Sequence, residues 1–166
     1  MVGIRPAQPG DAGAIAAILN QGIDDRIATF ETQRADAEQC EGRIVSGEEL
    51  ILVTEEDGRV VATAIAGAYT DRHHYYAGVR EATMYVERVS RGRGIGMALL
   101  NALADAAEQQ GAYKLVGRIF TTNERSIELV QRCGFRQVGV HLRHGRLDGE
   151  WKDVLVVERL LGEARN

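Results

Sequence analysis

The chain has 166 residues, with 20 lysines and arginines against 24 aspartates and glutamates, a formal charge of −4. An apolar share of 45% beside 27% charged residues excludes a disordered chain, and the acidic balance gives no general attraction to nucleic-acid phosphates or anionic lipid. No apolar run nears the ~20 residues of a membrane span, and Met1-Val2-Gly3-Ile4-Arg5-Pro6 has no secretory apolar region, so a cytoplasmic protein is expected. Two cysteines, Cys40 and Cys133, make no disulfide framework and read as free thiols.

In chain order, residues 2–7 are short and extended, and Pro9-Gly10-Asp11 ends them with Asp11 as a helix N-cap. Ile15, Ile18, Leu19, Gly22 and Ile23 then fall on one helical face, and 35–46 repeat a weaker helical pattern. A strand at 50–54 runs through the hairpin signal Asp57-Gly58 into a second at 59–69. Residues 70–78 are a polar loop, and 81–86 a third strand. The glycine-rich turn 91–96 opens a helix to about Gln110, with Ile95, Leu99, Leu103 and Ala106 facing the core and Gly111 as its C-cap. A strand at 115–120, a short helix from Thr121–Asn123 to Cys133, and two strands at 137–147 and 151–160 around Asp148-Gly149 complete the chain. The order β-α-α-β-β-β-α-β-α-β-β predicts a single α/β domain over 1–166: a mixed, mostly antiparallel sheet of about seven strands flanked by about four helices.

Tyr85-Val86-Glu87-Arg88-Val89-Ser90-Arg91-Gly92-Arg93-Gly94-Ile95-Gly96 carries the chemistry. A strand enters a turn with three glycines in five residues, and a helix begins at once. Unpaired N–H groups at a helix N-terminus attract an anion, and glycines let a pyrophosphate approach them. Arg91 and Arg93 add charge at the rim. The P-loop is excluded because no Lys-Ser or Lys-Thr follows, and the dinucleotide fingerprint because Met97 stands where its third glycine belongs.

Arg91-x-x-Gly94-x-Gly96 resembles the Gln/Arg-x-x-Gly-x-Gly/Ala signature of the GNAT superfamily of N-acetyltransferases, and the inferred element order is similar too. The resemblance implies the GNAT fold and acetyl-CoA as co-substrate. It implies that Met84, Tyr85 and Val86 offer backbone groups to pantetheine, while the backbone of Arg91, Gly92, Arg93, Gly94, Ile95 and Gly96 holds the diphosphate. Asn123 and Ser126 match the segment that touches the cofactor arm, and Cys133-Gly134-Phe135 resembles the run closing that helix. More narrowly, Ala28-Thr29-Phe30-Glu31-Thr32, Glu81-Ala82-Thr83-Met84-Tyr85-Val86 and Gly149-Glu150-Trp151-Lys152-Asp153-Val154 resemble segments of phosphinothricin N-acetyltransferases. Residues 22–32 and 143–149 look most like the arsinothricin-resistance branch. A homodimer, meeting near Trp151, is a further implication.

Acetylating an amine requires removal of a proton from a group that is largely ammonium near neutral pH. Glu81, expected at the mouth of its strand, is the candidate base. By resemblance to the splayed strands of that family, the N–H of Val86 is the candidate donor to the developing oxyanion. Where relatives carry Tyr or His to protonate the thiolate, this chain has Val130, so no general acid is assigned. A glutamate-like substrate needs cationic and hydroxyl partners, for which Arg72, Tyr76 and Arg80 in the loop before Glu81 and Arg26 after the first helix are candidates, with Phe30 beside Arg26 as a further pocket residue. His141 and His144 are expected on opposite faces of a strand, and no metal site is expected.

The reading is thus an acetyl-CoA-dependent transfer to the α-amine of phosphinothricin or arsinothricin. Methionine sulfoximine or sulfone is the near alternative, and a non-catalytic acyl-CoA sensor or a protein-directed acetyltransferase the more distant ones.

Overall fold

The computed structural model describes residues 2–166. Seven strands form one sheet: β1 (Val2–Pro6), β2 (Leu50–Glu56), β3 (Arg59–Ala68), β4 (Val79–Val86), β5 (Lys114–Phe120), β6 (Arg136–Leu147) and β7 (Glu150–Leu160), in the order β1-β2-β3-β4-β5-β7-β6. Every pairing is antiparallel except β4 with β5. Four helices cover it: α1 (Ala12–Asp25), α2 (Ala37–Ser46), α3 (Ile95–Gln109) and α4 (Glu124–Arg132). The mixed sheet and four helices are those expected from the sequence. None of the described helices is long and apolar enough to cross a membrane.

Period-2 alternation in β3 divides the core. Ala62, Ala64 and Ala66 turn to one face, where these small side chains let α3 settle close through Leu99, Leu103 and Ala107, all fully or nearly fully buried. The other face carries Ile51, Val53 and Ile65 against Ile15, Ile18 and Cys40 of α1 and α2.

One rung of the sheet decides where a ligand can enter. β4 and β5 pair only over Val79↔Lys114, Arg80↔Leu115 and Glu81↔Val116, and beyond Glu81 they part. Glu81 is therefore not at the start of its strand, as the sequence suggests, but at the last closed rung, because β4 begins at Val79.

Two local expectations fail for identifiable reasons. Asp11 makes no side-chain cap on α1. Its carboxylate accepts from the Gln8 amide at 2.7 Å and from both terminal nitrogens of Arg5, closing the turn before the helix. His141 and His144 do not face opposite ways. The β6–β7 register breaks between them, Arg143 adopts φ 49°, and the rings stack at 4.5 Å.

Candidate active site

The strand leading into the turn presents its backbone by alternation. The Glu87 amide donates to the Val61 carbonyl at 2.9 Å, and with the β3–β4 register this turns the peptide groups of residues 81, 83, 85 and 87 toward β3. The N–H groups of Met84 and Val86 consequently face the gap left by β5. Tyr85 does not offer its backbone there, contrary to expectation. Its ring packs against Gly22 of α1, where burial raises the phenol above its ordinary value and a hydrogen bond with Thr29 partly offsets this.

A short 3-10 turn (Arg88–Ser90) ends β4, and Gly92 (φ 78°) and Gly94 (φ 82°) then take left-handed conformations that place α3 behind the turn. The first helical bond runs from Ala98 N–H to Gly94 C=O at 3.1 Å. Among the described residues the amides from Gly92 to Met97 donate to no protein acceptor. A continuous row of free donors at the positive end of a helix fits a diphosphate. Gly96 serves packing instead. A Cβ there would lie 3.0 Å from both Met84 Cε and Leu129 Cδ1, so its absence lets α3 meet β4 and α4.

The positive charge that the sequence places at the rim of the turn is paired with carboxylates. Arg91 Nε donates to the Val86 carbonyl at 3.0 Å, and its Nη2 pairs with Asp25 at 2.7 Å. Arg88 shares Asp25 at 2.8 Å, and Arg93 holds Glu56 through both terminal nitrogens. Burial pushes the Asp25 carboxyl upward, but the hydrogen bonds from Arg91 and Arg88 outweigh it and hold the group below the usual range. These pairs brace the turn rather than line it.

The gap between β4 and β5 opens a groove of about 150 Å³ lined by Glu81, Met84, Tyr85, Asn123, Ser126 and Val130, among others. Asn123 caps α4 by accepting from the Ser126 amide at 3.3 Å, and its Nδ2 donates to the Ile27 carbonyl at 3.2 Å. The residue expected to touch the cofactor arm thus also ties α4 to the loop after α1. Val130 leaves the groove without a proton donor at that position.

On the opposite face a second cleft of about 510 Å³ lies between β3, β4 and the α2 end, lined by Arg43, Glu49, Gly67, Arg72, Glu81 and Thr83. Glu81 and Thr83 border both spaces. Glu81 Oε1 accepts from the Thr70 amide at 3.1 Å and the Thr70 hydroxyl at 2.5 Å, and Arg118 Nη2 lies 3.1 Å from it.

Of the five residues expected around a substrate, only Arg72 lines this cleft. Arg26 caps the end of α1 in a left-handed conformation and pairs with Asp148 at 3.3 Å. Phe30 packs edge-on against Phe120 at 4.8 Å, and Tyr76 packs on Tyr69 and Tyr75. Arg80 turns to the other face of β4 from Glu81. Sequence reasoning missed Arg118, Thr70 and Arg43. The signal for Arg118 was available: a lone charge in the apolar strand Leu115-Val116-Gly117-Arg118-Ile119-Phe120, at even spacing from Val116, the partner of Glu81.

Comparison with known proteins agrees with this geometry. The profile of the Acetyltransferase (GNAT) family matches residues 16–135. The chain is 31% identical over 164 residues to the L-amino acid N-acyltransferase MnaT of Escherichia coli K12, covering 96% of this chain and 94% of that protein. It is 30% identical to the phosphinothricin N-acetyltransferase of Streptomyces coelicolor, covering 96% of each. The yncA protein of Salmonella typhimurium, solved with its cofactor acetyl-CoA, superposes with a TM-score of 0.93 at 26% identity, covering 98% of this chain and 95% of that one. The free amides at the start of α3 meet the requirement of that cofactor's diphosphate, and the chain belongs to the GNAT family as an acetyl-CoA-dependent N-acetyltransferase.

Proposed function

We propose that this domain, residues 1–166, acetylates the α-amine of a small glutamate-like toxic amino acid of the phosphinothricin or arsinothricin kind in the cytoplasm, and so confers resistance. The observation that carries this reading is the position of Glu81 between two spaces: a groove running from the phosphate-binding turn, and a cleft on the other face lined by Arg72 and by Arg43, the latter held by Glu49 through two nitrogens. A compound with an anionic end for Arg72 and an amine fits the second space, with its nitrogen turned toward Glu81. The names of the relatives, one for L-amino acids and one for phosphinothricin, support an amino-acid acceptor.

In this mechanism Glu81 takes the proton of the attacking amine, directly or through one water. A C–N bond forms at the thioester carbon, and the N–H of Val86 donates to the oxygen on which charge develops. The C–S bond then breaks. Val130 cannot protonate the departing thiolate, and no general acid is assigned: the sulfur leaves as the thiolate or takes a proton from water or another side chain. Met84 offers its backbone to the pantetheine arm, the amides of residues 92–97 take the diphosphate, and Asn123 and Ser126 border the arm.

The protein acts as a homodimer in this reading. β6 is an edge strand with Val138 at 51%, Val140 at 48% and Leu142 at 76% exposure, beside Trp151 at 50%. A second copy covers such an edge with the same strip of its own surface.

The deciding assay measures acetyl-CoA consumption with phosphinothricin, arsinothricin and methionine sulfone, for the wild type and for Glu81→Gln. We expect wild-type turnover of at least one glutamate mimic, and in the variant a loss of roughly 10²–10⁴-fold in kcat at unchanged acetyl-CoA affinity. No turnover of any amino acid overturns the substrate reading. Full activity of Glu81→Gln overturns the base.

A further inference from the structure

We infer that Arg118 is the receptor for the substrate's α-carboxylate, and that by taking it Arg118 releases Glu81 to act on the neighbouring amine. This rests on the amino-acid reading above and extends it to the selection of substrates by a residue of β5.

Three observations carry it. The first is placement. β4 and β5 separate after Glu81↔Val116, and Arg118, two residues past Val116, emerges on the same face of the sheet as Glu81. Its guanidinium reaches back across the opening to within 3.1 Å of Glu81 Oε1, at the boundary between the cofactor groove and the cleft.

The second is the state of the base. Glu81 Oε1 is held by the Thr70 amide, the Thr70 hydroxyl and Arg118, while Arg118 Nη2 also donates to Thr70 Oγ1 at 3.0 Å. A carboxylate oxygen occupied by a cation and two further donors is a poor proton acceptor. Chemistry requires the cation to leave it for another anion.

The third is capacity. Arg118 is 42% exposed at its side chain, and among the described residues it contacts no carboxylate other than Glu81. A guanidinium has five N–H donors in a planar fork that matches a second carboxylate in bidentate fashion. In an α-amino acid the carboxylate and the amine share one carbon. An anion seated on Arg118 therefore sets the amine beside Glu81, while Arg72 in the wider cleft remains for the distal anionic group. A simple amine brings nothing to draw Arg118 away, and the base stays occupied.

The test compares L-methionine sulfone with its primary carboxamide, which keeps the amine and the shape and loses the negative charge. The expected result is that the wild type prefers the acid by tenfold or more in kcat/KM, that Arg118→Gln abolishes the preference chiefly by raising KM for the acid, and that Arg118→Lys restores part of it. Acetyl-CoA affinity by calorimetry, unchanged in both variants, shows that the cofactor groove is intact. A preference that survives Arg118→Gln overturns the assignment, as does an equal fall in kcat for both compounds, which would make Arg118 a support for Glu81 alone. Wild-type turnover of the carboxamide as fast as the acid also overturns it while leaving the acetyltransferase reading in place. Turnover of neither compound, nor of the glutamate mimics, removes the amino-acid reading itself.

Discussion

The side chain of Arg91 closes on the strand that precedes it, with Nε 3.0 Å from the carbonyl oxygen of Val86, while its outer nitrogen meets Asp25 at the end of α1. One arginine thereby fixes the angle between the last residue of β4 and the glycine turn. The Val86 carbonyl is occupied, and its N–H stays directed into the gap.

Removing the anchor of that arginine should loosen the turn. Asp25 receives both Arg91 and Arg88, and hydrogen bonds to charged groups contribute about 1.5–3 kcal/mol each. For Asp25→Asn we expect acetyl-CoA affinity to fall on the order of tenfold by titration calorimetry, a change of about 1.4 kcal/mol. An unchanged Kd would show that the turn holds its shape without Asp25.

The positive φ of Gly94 separates backbone strain from simple side-chain insertion. No protein atom lies within 4 Å of a Cβ built there, yet φ is 82°, and an L-residue in that region costs roughly 1–2 kcal/mol. Gly94→Ala should lower Tm and weaken acetyl-CoA together. Gly13→Ala, in open space on α1, should raise stability by up to about 1 kcal/mol, as thermal unfolding will record.

Acid should act through the arginine-held carboxylates. Arg5 holds the Asp11 carboxyl below its ordinary 3.8, and Arg59 holds Glu87 below 4.5, in each case against the opposing effect of burial. A folded-state value below the unfolded one gives stability that is complete above the ordinary value and is lost as pH falls through the lowered one. Tm should be flat from pH 7 to about 5 and fall steeply below 4. Glu87→Gln should start lower at neutral pH and fall less steeply, because its share of the loss has already been taken.

The exposed β6 edge makes a prediction about assembly. Leu142, at 76% exposure, lies within the strand's register break. Leu142→Glu should convert a dimer to a monomer in sedimentation velocity at unaltered helix content. A monomeric wild type at micromolar concentration removes the dimer.

The order of elements was legible in the sequence because its signals are local. Asp57-Gly58 and Asp148-Gly149 do adopt the positive φ angles that hairpin turns require, and the glycines of 92–96 begin α3 where expected. What escaped was set by distant partners. Nothing near Asp11 in the chain reveals that Arg5 and the Gln8 amide will claim its carboxylate. Phe30 looked like a pocket wall until Phe120, 90 positions away, met it edge-on. Thr70, Glu81 and Arg118 lie on a loop and two strands, and only the parallel pairing of β4 with β5 brings them together. Arginine beside glycine reads as positive charge at the rim of the turn. The carboxylates that neutralise Arg91 and Arg93, Asp25 and Glu56, come from elsewhere in the fold.

The alternation of β4 has a bearing on redesign. The side chains of 81 and 83 border the cleft beside α2, whereas the peptides of 84 and 86 face the gap beside β5, so one strand serves two spaces by parity. Under the proposed function, variation of the acceptor belongs to the side chains of one parity, with Arg72, and the hold on the acyl carrier to the main chain of the other.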